Sequence, residues 1–121
     1  MKTAQYKALN GNPVGDITGA AFCSANWIAA SFVPAFTDSS ANGTVKIQVS
    51  NEPPVGDPYA YTPSAGSWQD LTNATSSISS GAGPAITLAA PFAFGFIRVV
   101  YTHSSGTGGA NKGIVNACVM S

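Results

Sequence analysis

Two places in this chain have residue types that could do chemistry: its single histidine, His103, and the glycine-rich run Gly106-Thr107-Gly108-Gly109-Ala110-Asn111-Lys112-Gly113. A Ser-His-Asp triad needs its histidine oriented by a carboxylate and set beside a serine. Serines occur throughout this chain, so one near His103 carries no information, and the sharp Gly-x-Ser-x-Gly turn that would present a nucleophile is missing. At a strand end beside a glycine-rich loop, His103 reads as an exposed polar residue. A phosphate-binding loop needs glycine immediately before its lysine and serine or threonine after it. Lys112 has Asn111 and Gly113 as neighbours, and a strand-like run follows where a helix should start. The glycines instead fit a hairpin loop whose backbone visits positive φ.

The carboxylates Asp16, Asp38, Glu52, Asp57 and Asp70 are scattered, with none of the facing pairs that glycoside cleavage requires. Asn51, Glu52 and Asp57 gather hard oxygen ligands of the kind calcium takes. Without a dense Asp/Asn ligand pattern they read as a solvated loop. Trp27, Tyr59, Tyr61 and Trp68 could stack on sugar faces; read as packing residues, the tryptophans belong to the core and the tyrosines to a subunit contact. Cys23 and Cys118 are too few for a disulfide framework or a four-ligand zinc site. They read as two small buried hydrophobes, with a bridge between them as the alternative. No catalytic, cofactor-binding or metal-binding residue is assigned.

Composition bounds the function further. Charged residues make up 8% of the chain and cancel to a formal net charge of zero, against about 25% charged in ordinary soluble domains. A neutral chain has no long-range attraction for phosphate, which argues against nucleic acid and anionic membranes as partners. A surface of Ser, Thr, Asn, Ala and Gly suits permanent contact with copies of itself or with another protein. The most apolar stretch, Ala85 to Tyr101, is interrupted by Pro91, Gly95 and Arg98 and reads as two strands, not a membrane span. The residues after Met1 lack the apolar core of a secretory signal, so synthesis in the cytoplasm with both thiols reduced is expected.

The elements that must hold these residues are strands. Helix-forming periodicity is absent, and turn residues recur at short intervals among 13 Gly and 8 Pro. Thr44–Ser50 alternates strictly, with Val45, Ile47 and Val49 on one face and Lys46, Gln48 and Ser50 on the other; Asn42-Gly43 before it supplies a tight turn. Phe96–Thr102 is apolar on both faces apart from Arg98, which places it in mid-structure or against a neighbour. Gly113–Met120 is the last strand, joined to its hairpin partner by Ser104–Lys112. Weaker strands are Gln5–Leu9, Ala20–Ser24, Ile28–Ala35, Trp68–Leu71 and Ala85–Ala89. Glu52–Ser67 is a proline-rich loop that presents Tyr59 and Tyr61 outward, and Thr72–Gly83 an exposed connector. The predicted fold is an all-β antiparallel sandwich of jelly-roll or related type spanning residues 17–121. Residues 1–16 form an extended N-terminal arm anchored by Tyr6 and Leu9, able to add a strand to a neighbour's sheet. If the run is extended, Phe92, Phe94 and Phe96 share a face suited to self-association.

Val45-Lys46-Ile47-Gln48-Val49-Ser50-Asn51-Glu52 followed by Ser67-Trp68-Gln69-Asp70-Leu71 resembles a strand-loop-strand of small bacteriophage structural proteins. Phe96-Ile97-Arg98-Val99-Val100-Tyr101-Thr102, then Ser105-Gly106-Thr107-Gly108 and Asn116-Ala117, is similar to the closing hairpin of the same group. The group comprises capsid decoration (cement) proteins and fibre or tail-associated β domains, and the resemblance covers residues 43–120. Glu52-Pro53-Pro54 departs from the usual Asp-Gly turn before the tryptophan. The resemblance implies a non-enzymatic virion protein, a cement protein bound to the major capsid protein or another virion protein. It also implies a homotrimer, since decoration proteins often sit on local threefold positions. A host-receptor-binding fibre or spike domain and a carbohydrate-binding module are the alternatives. The partner-contact residues expected are Tyr6, Leu9, Tyr59, Tyr61, Phe92 and Phe94.

Overall fold

The structure, a computed structural model, describes residues 2–89 and 93–121. Strands β1 (Thr3–Gly11), β2 (Ile17–Thr18), β3 (Phe22–Cys23), β4 (Ala29–Pro34), β5 (Asn42–Ser50), β6 (Gln69–Ile78), β7 (Ile86–Leu88), β8 (Phe96–Ser105) and β9 (Gly113–Met120) are joined by loops and one 3₁₀ turn at Ala65–Ser67. They form two sheets, β1-β9-β4-β7 and β2-β8-β5-β6, with β3 also on β8. Every pairing is antiparallel. Taking β2 and β3 as halves of one edge strand, each sheet has four strands, and every link except the β5–β6 hairpin crosses between sheets. That order is a jelly roll, the architecture predicted from the spacing of turns and short strands.

Alternation puts one face of each sheet into a shared core. Val45 and Ile47 of β5 and Ile97, Val99 and Tyr101 of β8 meet Leu9, Phe32, Val115 and Ala117 of the opposite sheet, all at 3% exposure or less. Lys46 and Gln48 turn outward, as the period of two requires. Strand β8 lies between β5 and the β2/β3 edge, the interior position that its two apolar faces foretold. Phe96 points away from the shared core yet is only 2% exposed, because Tyr61 of the long loop packs over it with ring centroids 5.8 Å apart. At the core's edge Tyr101 Oη donates to the Asn42 carbonyl at 2.9 Å.

Four expectations are corrected. The N-terminal arm is the edge strand β1: residues 3–11 pair with β9 from Thr3↔Met120 to Gly11↔Gly113, with a bulge between Lys7 and Leu9. Leu9 is 1% exposed, so it anchors the core and not a partner. Strands β8 and β9 are not a hairpin, since the glycine-rich loop carries the chain from one sheet to the other. Asn42-Gly43 is no turn; Gly43 sits inside β5, where a side-chain carbon would strike the Thr102 carbonyl and the Tyr101 ring. The connector from Thr72 is mostly strand β6, misread because residues 71–74 bulge against β5, with Asn73 at φ 62° while Leu71 and Ala74 pack on the core.

Two predictions follow from these placements. A chain starting at residue 12 loses Leu9 and exposes the β9 edge, so circular dichroism and thermal melting should find it unfolded at 25 °C. The two tyrosine hydroxyls should respond oppositely to removal. Tyr101→Phe deletes a buried hydrogen bond and should lower unfolding free energy by about 1 kcal/mol. Tyr6 Oη is buried with no hydrogen-bond partner among the described residues, so Tyr6→Phe should leave stability equal or raise it by up to about 1 kcal/mol. Urea unfolding measures both.

Candidate functional site

The outer face of the β2-β8-β5-β6 sheet carries a row of polar side chains running across three strands. Lys46 Nζ donates to Asp70 Oδ2 at 3.1 Å, Gln48 Nε2 to Asp70 Oδ1 at 2.9 Å, and Arg98 Nε to Gln48 Oε1 at 2.8 Å. The row ends where the Arg98 guanidinium lies 4.4 Å from the centroid of the Trp68 ring. Register produces it: Gln48 stands opposite both Arg98 on β8 and Asp70 on β6. Hydrogen bonds from Gln48 and Lys46 hold the Asp70 carboxyl below its ordinary range against a smaller opposing effect of burial, whereas burial pulls Arg98 down. The indole face partly offsets the cost of withdrawing that cation from water. Arg98 was legible only as the one charge in an otherwise apolar strand, and nothing in the sequence pairs it with Trp68.

Beside the row, the long loop folds back on Glu52. Its carboxylate accepts from Ser64 Oγ at 2.6 Å, Ser64 N at 2.7 Å and Tyr61 Oη at 2.8 Å. These bonds hold the Glu52 carboxyl below the usual range, the Ser64 hydroxyl most strongly, and they raise the Tyr61 phenol. Tyr61 is therefore half-buried over Phe96, while Tyr59 is 69% exposed with its hydroxyl accepting from Asn26 Nδ2 at 3.0 Å. Asn51 Oδ1 accepts from Gly95 N and Asp57 Oδ1 from Tyr59 N, so the three residues considered for calcium each serve different protein donors. The four aromatic residues considered for sugar stacking are divided among separate contacts. Trp27 packs with Tyr6, Tyr61 with Phe96, and one face of Trp68 is covered by Arg98.

The remaining expected contact residues are dispersed as well. Tyr6 lies half-buried against Phe22 at 4.4 Å and is no outward anchor; burial raises its phenol far above the ordinary range. Phe94 is half-buried against the core outside any strand and so shares no strand face with Phe96; Phe92 lies outside the described residues. His103 is half-buried and not exposed. Asp16 accepts from its backbone N–H at 2.8 Å, and the imidazole Nδ1 has no hydrogen-bond partner among the described residues. Cys23 and Cys118 are free, half-buried thiols in different sheets.

The glycine-rich loop is held by two side chains from the other end of the chain. Asp38, 4% exposed, accepts from Ser40 Oγ at 2.6 Å, Ser40 N at 2.9 Å and Gly108 N at 2.8 Å; Asn12 Oδ1 accepts from Gly109 N at 2.8 Å. Gly108 can offer its N–H there because it sits at φ 78°, a left-handed conformation that favours glycine. An acceptor two residues before its own donor, as in Asp38-Ser39-Ser40, is the local signal that marks such a turn.

The opposite sheet differs in kind. In β1, β9, β4 and β7 together, Lys7 is the only charged residue. A shallow groove of about 420 Å³ runs over its outer face between Gln5, Lys7, Ser31, Val33 and Asn116.

No family model matches the chain, and no curated protein matches it. Among solved structures, the SPBc2 prophage-derived protein YomS superposes with a TM-score of 0.58 over 99% of this chain and 94% of its own, at 9% sequence identity. The fold is shared with a prophage-derived protein. At that identity the likeness extends to the course of the strands and carries no side chain of either face.

The Asp38 clamp yields a pH prediction. Ser40 and Gly108 hold the Asp38 carboxyl below its ordinary range, with the Ser40 hydroxyl the largest influence. Its stabilisation is therefore present above the unfolded-state value, about pH 3.9, and is lost as pH falls through the folded-state value. Asp38→Asn should lower the melting temperature at pH 7 and flatten the loss of stability below about pH 4, measured by thermal melts across pH.

Proposed function

We propose that this chain is a non-enzymatic virion structural protein, a decoration protein that binds a phage head through protein–protein contacts and acts as a small homo-oligomer, a trimer by preference. The observation that carries this reading is the β1-β9-β4-β7 sheet, whose strands contain one charged residue, Lys7. Its outer face presents Thr3, Gln5, Ser31, Val33, Asn116 and Cys118 on three of its strands, with Lys7 beside Asn116 as its one charge. A surface without repelling charge lets two protein faces approach without stranding an ion between them. The likeness to a prophage-derived protein supports a phage setting for the fold. A fibre or spike domain would use the same sandwich, and the exposed Tyr59 would then be its contact.

The test has two readouts. Purified chain mixed with phage heads should sediment with them in a fixed ratio to the major shell protein, and light scattering of the free chain should give a mass above 12.2 kDa. Ser31→Arg places a charge mid-face, between Cys118 and Thr87 in register. It should reduce the assembly to monomer and leave the melting temperature within about 2 °C of wild type, since surface substitutions rarely exceed about 0.5 kcal/mol. An unchanged mass for Ser31→Arg would remove this face as the self-contact. Binding to host surface glycans or proteins without binding to heads would favour the fibre reading.

A further inference from the structure

Arg98 is the chain's one arginine, and among the described residues no carboxylate pairs with it. Of its five N–H donors, only Nε is used within the described residues, by Gln48; the four on Nη1 and Nη2 have no acceptor there. The residue is half-buried, and its guanidinium is held in place by an indole on its face and an amide on its edge. Its neighbours offer no counter-charge. The Asp70 carboxylate has one oxygen bound to Lys46 and the other to Gln48. Lys46 and Asp70 cancel, leaving Arg98 as the uncompensated charge of the row. A chain with five basic residues in all has kept this one partly desolvated, at the middle of an outward sheet face.

We propose that Arg98 is the docking point for an aspartate or glutamate side chain of the protein this chain decorates, received by the two Nη groups in bidentate geometry. A planar guanidinium with Nε already bonded presents its Nη edge in a fixed direction, which matches the two oxygens of a carboxylate. Stacking on Trp68 removes the rotamer freedom that an exposed arginine would lose on binding. Arginine and tryptophan at the centre of a contact are the residues on which interface energy concentrates. A protein carboxylate is favoured over an acidic sugar because Arg98 covers one face of the Trp68 ring, a face that sugar stacking would use. The proposal rests on the decoration reading, and sets the Arg98 face toward the shell and the sheet with the single charge Lys7 toward sister subunits.

A single arginine gives a single side-chain Nε resonance, so NMR reads the site directly in the full chain. The probe is the capped tripeptide acetyl-Gly-Glu-Gly-amide, with the Gln tripeptide as control at equal ionic strength. The glutamate peptide should shift the Arg98 Nε–H signal saturably in the millimolar range, and the glutamine peptide should not. Equal shifts from both peptides, or none from either, overturn the proposal. In sedimentation with heads, Arg98→Gln should weaken binding at least tenfold, and Arg98→Lys should not restore it, because an ammonium cannot supply the fork. If Arg98→Gln binds heads as tightly as wild type, the docking site is wrong and the decoration reading stands. If the wild-type chain does not bind heads at all, the decoration reading is wrong, and with it the assigned partner.

Discussion

Two four-stranded sheets can meet only if every strand keeps its apolar positions on the same side over its whole length, and that constraint governs the rest of this molecule. Val45 and Ile47, Val99 and Tyr101, Phe32, Val115 and Leu9 come from five strands of both sheets and are all sealed from solvent. A slip of one residue in any strand would turn its whole apolar set outward. The bulges in β1 and β6 are where register would otherwise be lost: Ala8 and Leu9 both stay buried across the first, and Leu71 and Ala74 stay on the core across the second. Side chains fix what the ladders leave loose. Asp38 and Asn12 hold the link from β8 to β9, and Glu52 holds the proline-rich loop over Phe96.

With the interior settled by apolar side chains, the two outer faces are free to differ, and they differ sharply. One is a field of small neutral groups with a lysine at its margin; the other is a chain of hydrogen bonds from Lys46 to Arg98 that ends on an indole. Such a polar row across strands adds little to stability, since exposed ion pairs are worth about 0–1 kcal/mol. What it provides is orientation, because each member is bonded to the next and the terminal guanidinium has one place to lie. A chain with ten charged residues that arranges three of them in one connected row has a surface with a direction, a neutral side and a charged side.

Local pattern and long-range pairing contributed differently to what could be read in advance. The faces of β5 and β8 were legible because side chains alternate with a period of two, a property each strand carries without its neighbours. The positive φ of the glycine loop was legible for the same local reason. The identity of each strand's partner was not. β8 and β9 are consecutive and separated by a glycine loop, which reads as a hairpin, yet they lie in opposite sheets because β9 fills the gap between β1 and β4. Tyr6 and Leu9 looked like anchors on a free arm because they are apolar residues in a segment that carries Lys2 and Lys7, and only pairing with β9 makes that segment a strand.

By itself, then, the sequence determined a charge-poor all-β chain with its core positions marked by alternation and its loops marked by proline and glycine. These are consequences of backbone geometry and side-chain type acting over a few residues. Tertiary structure alone decided that Trp68 meets Arg98, that Asp38 reaches Gly108 across 70 positions, and that Glu52 gathers Ser64 and Tyr61. Those contacts arise from strand order and register, which depend on how eight strands jointly minimise exposed apolar surface. No segment read alone contains that information.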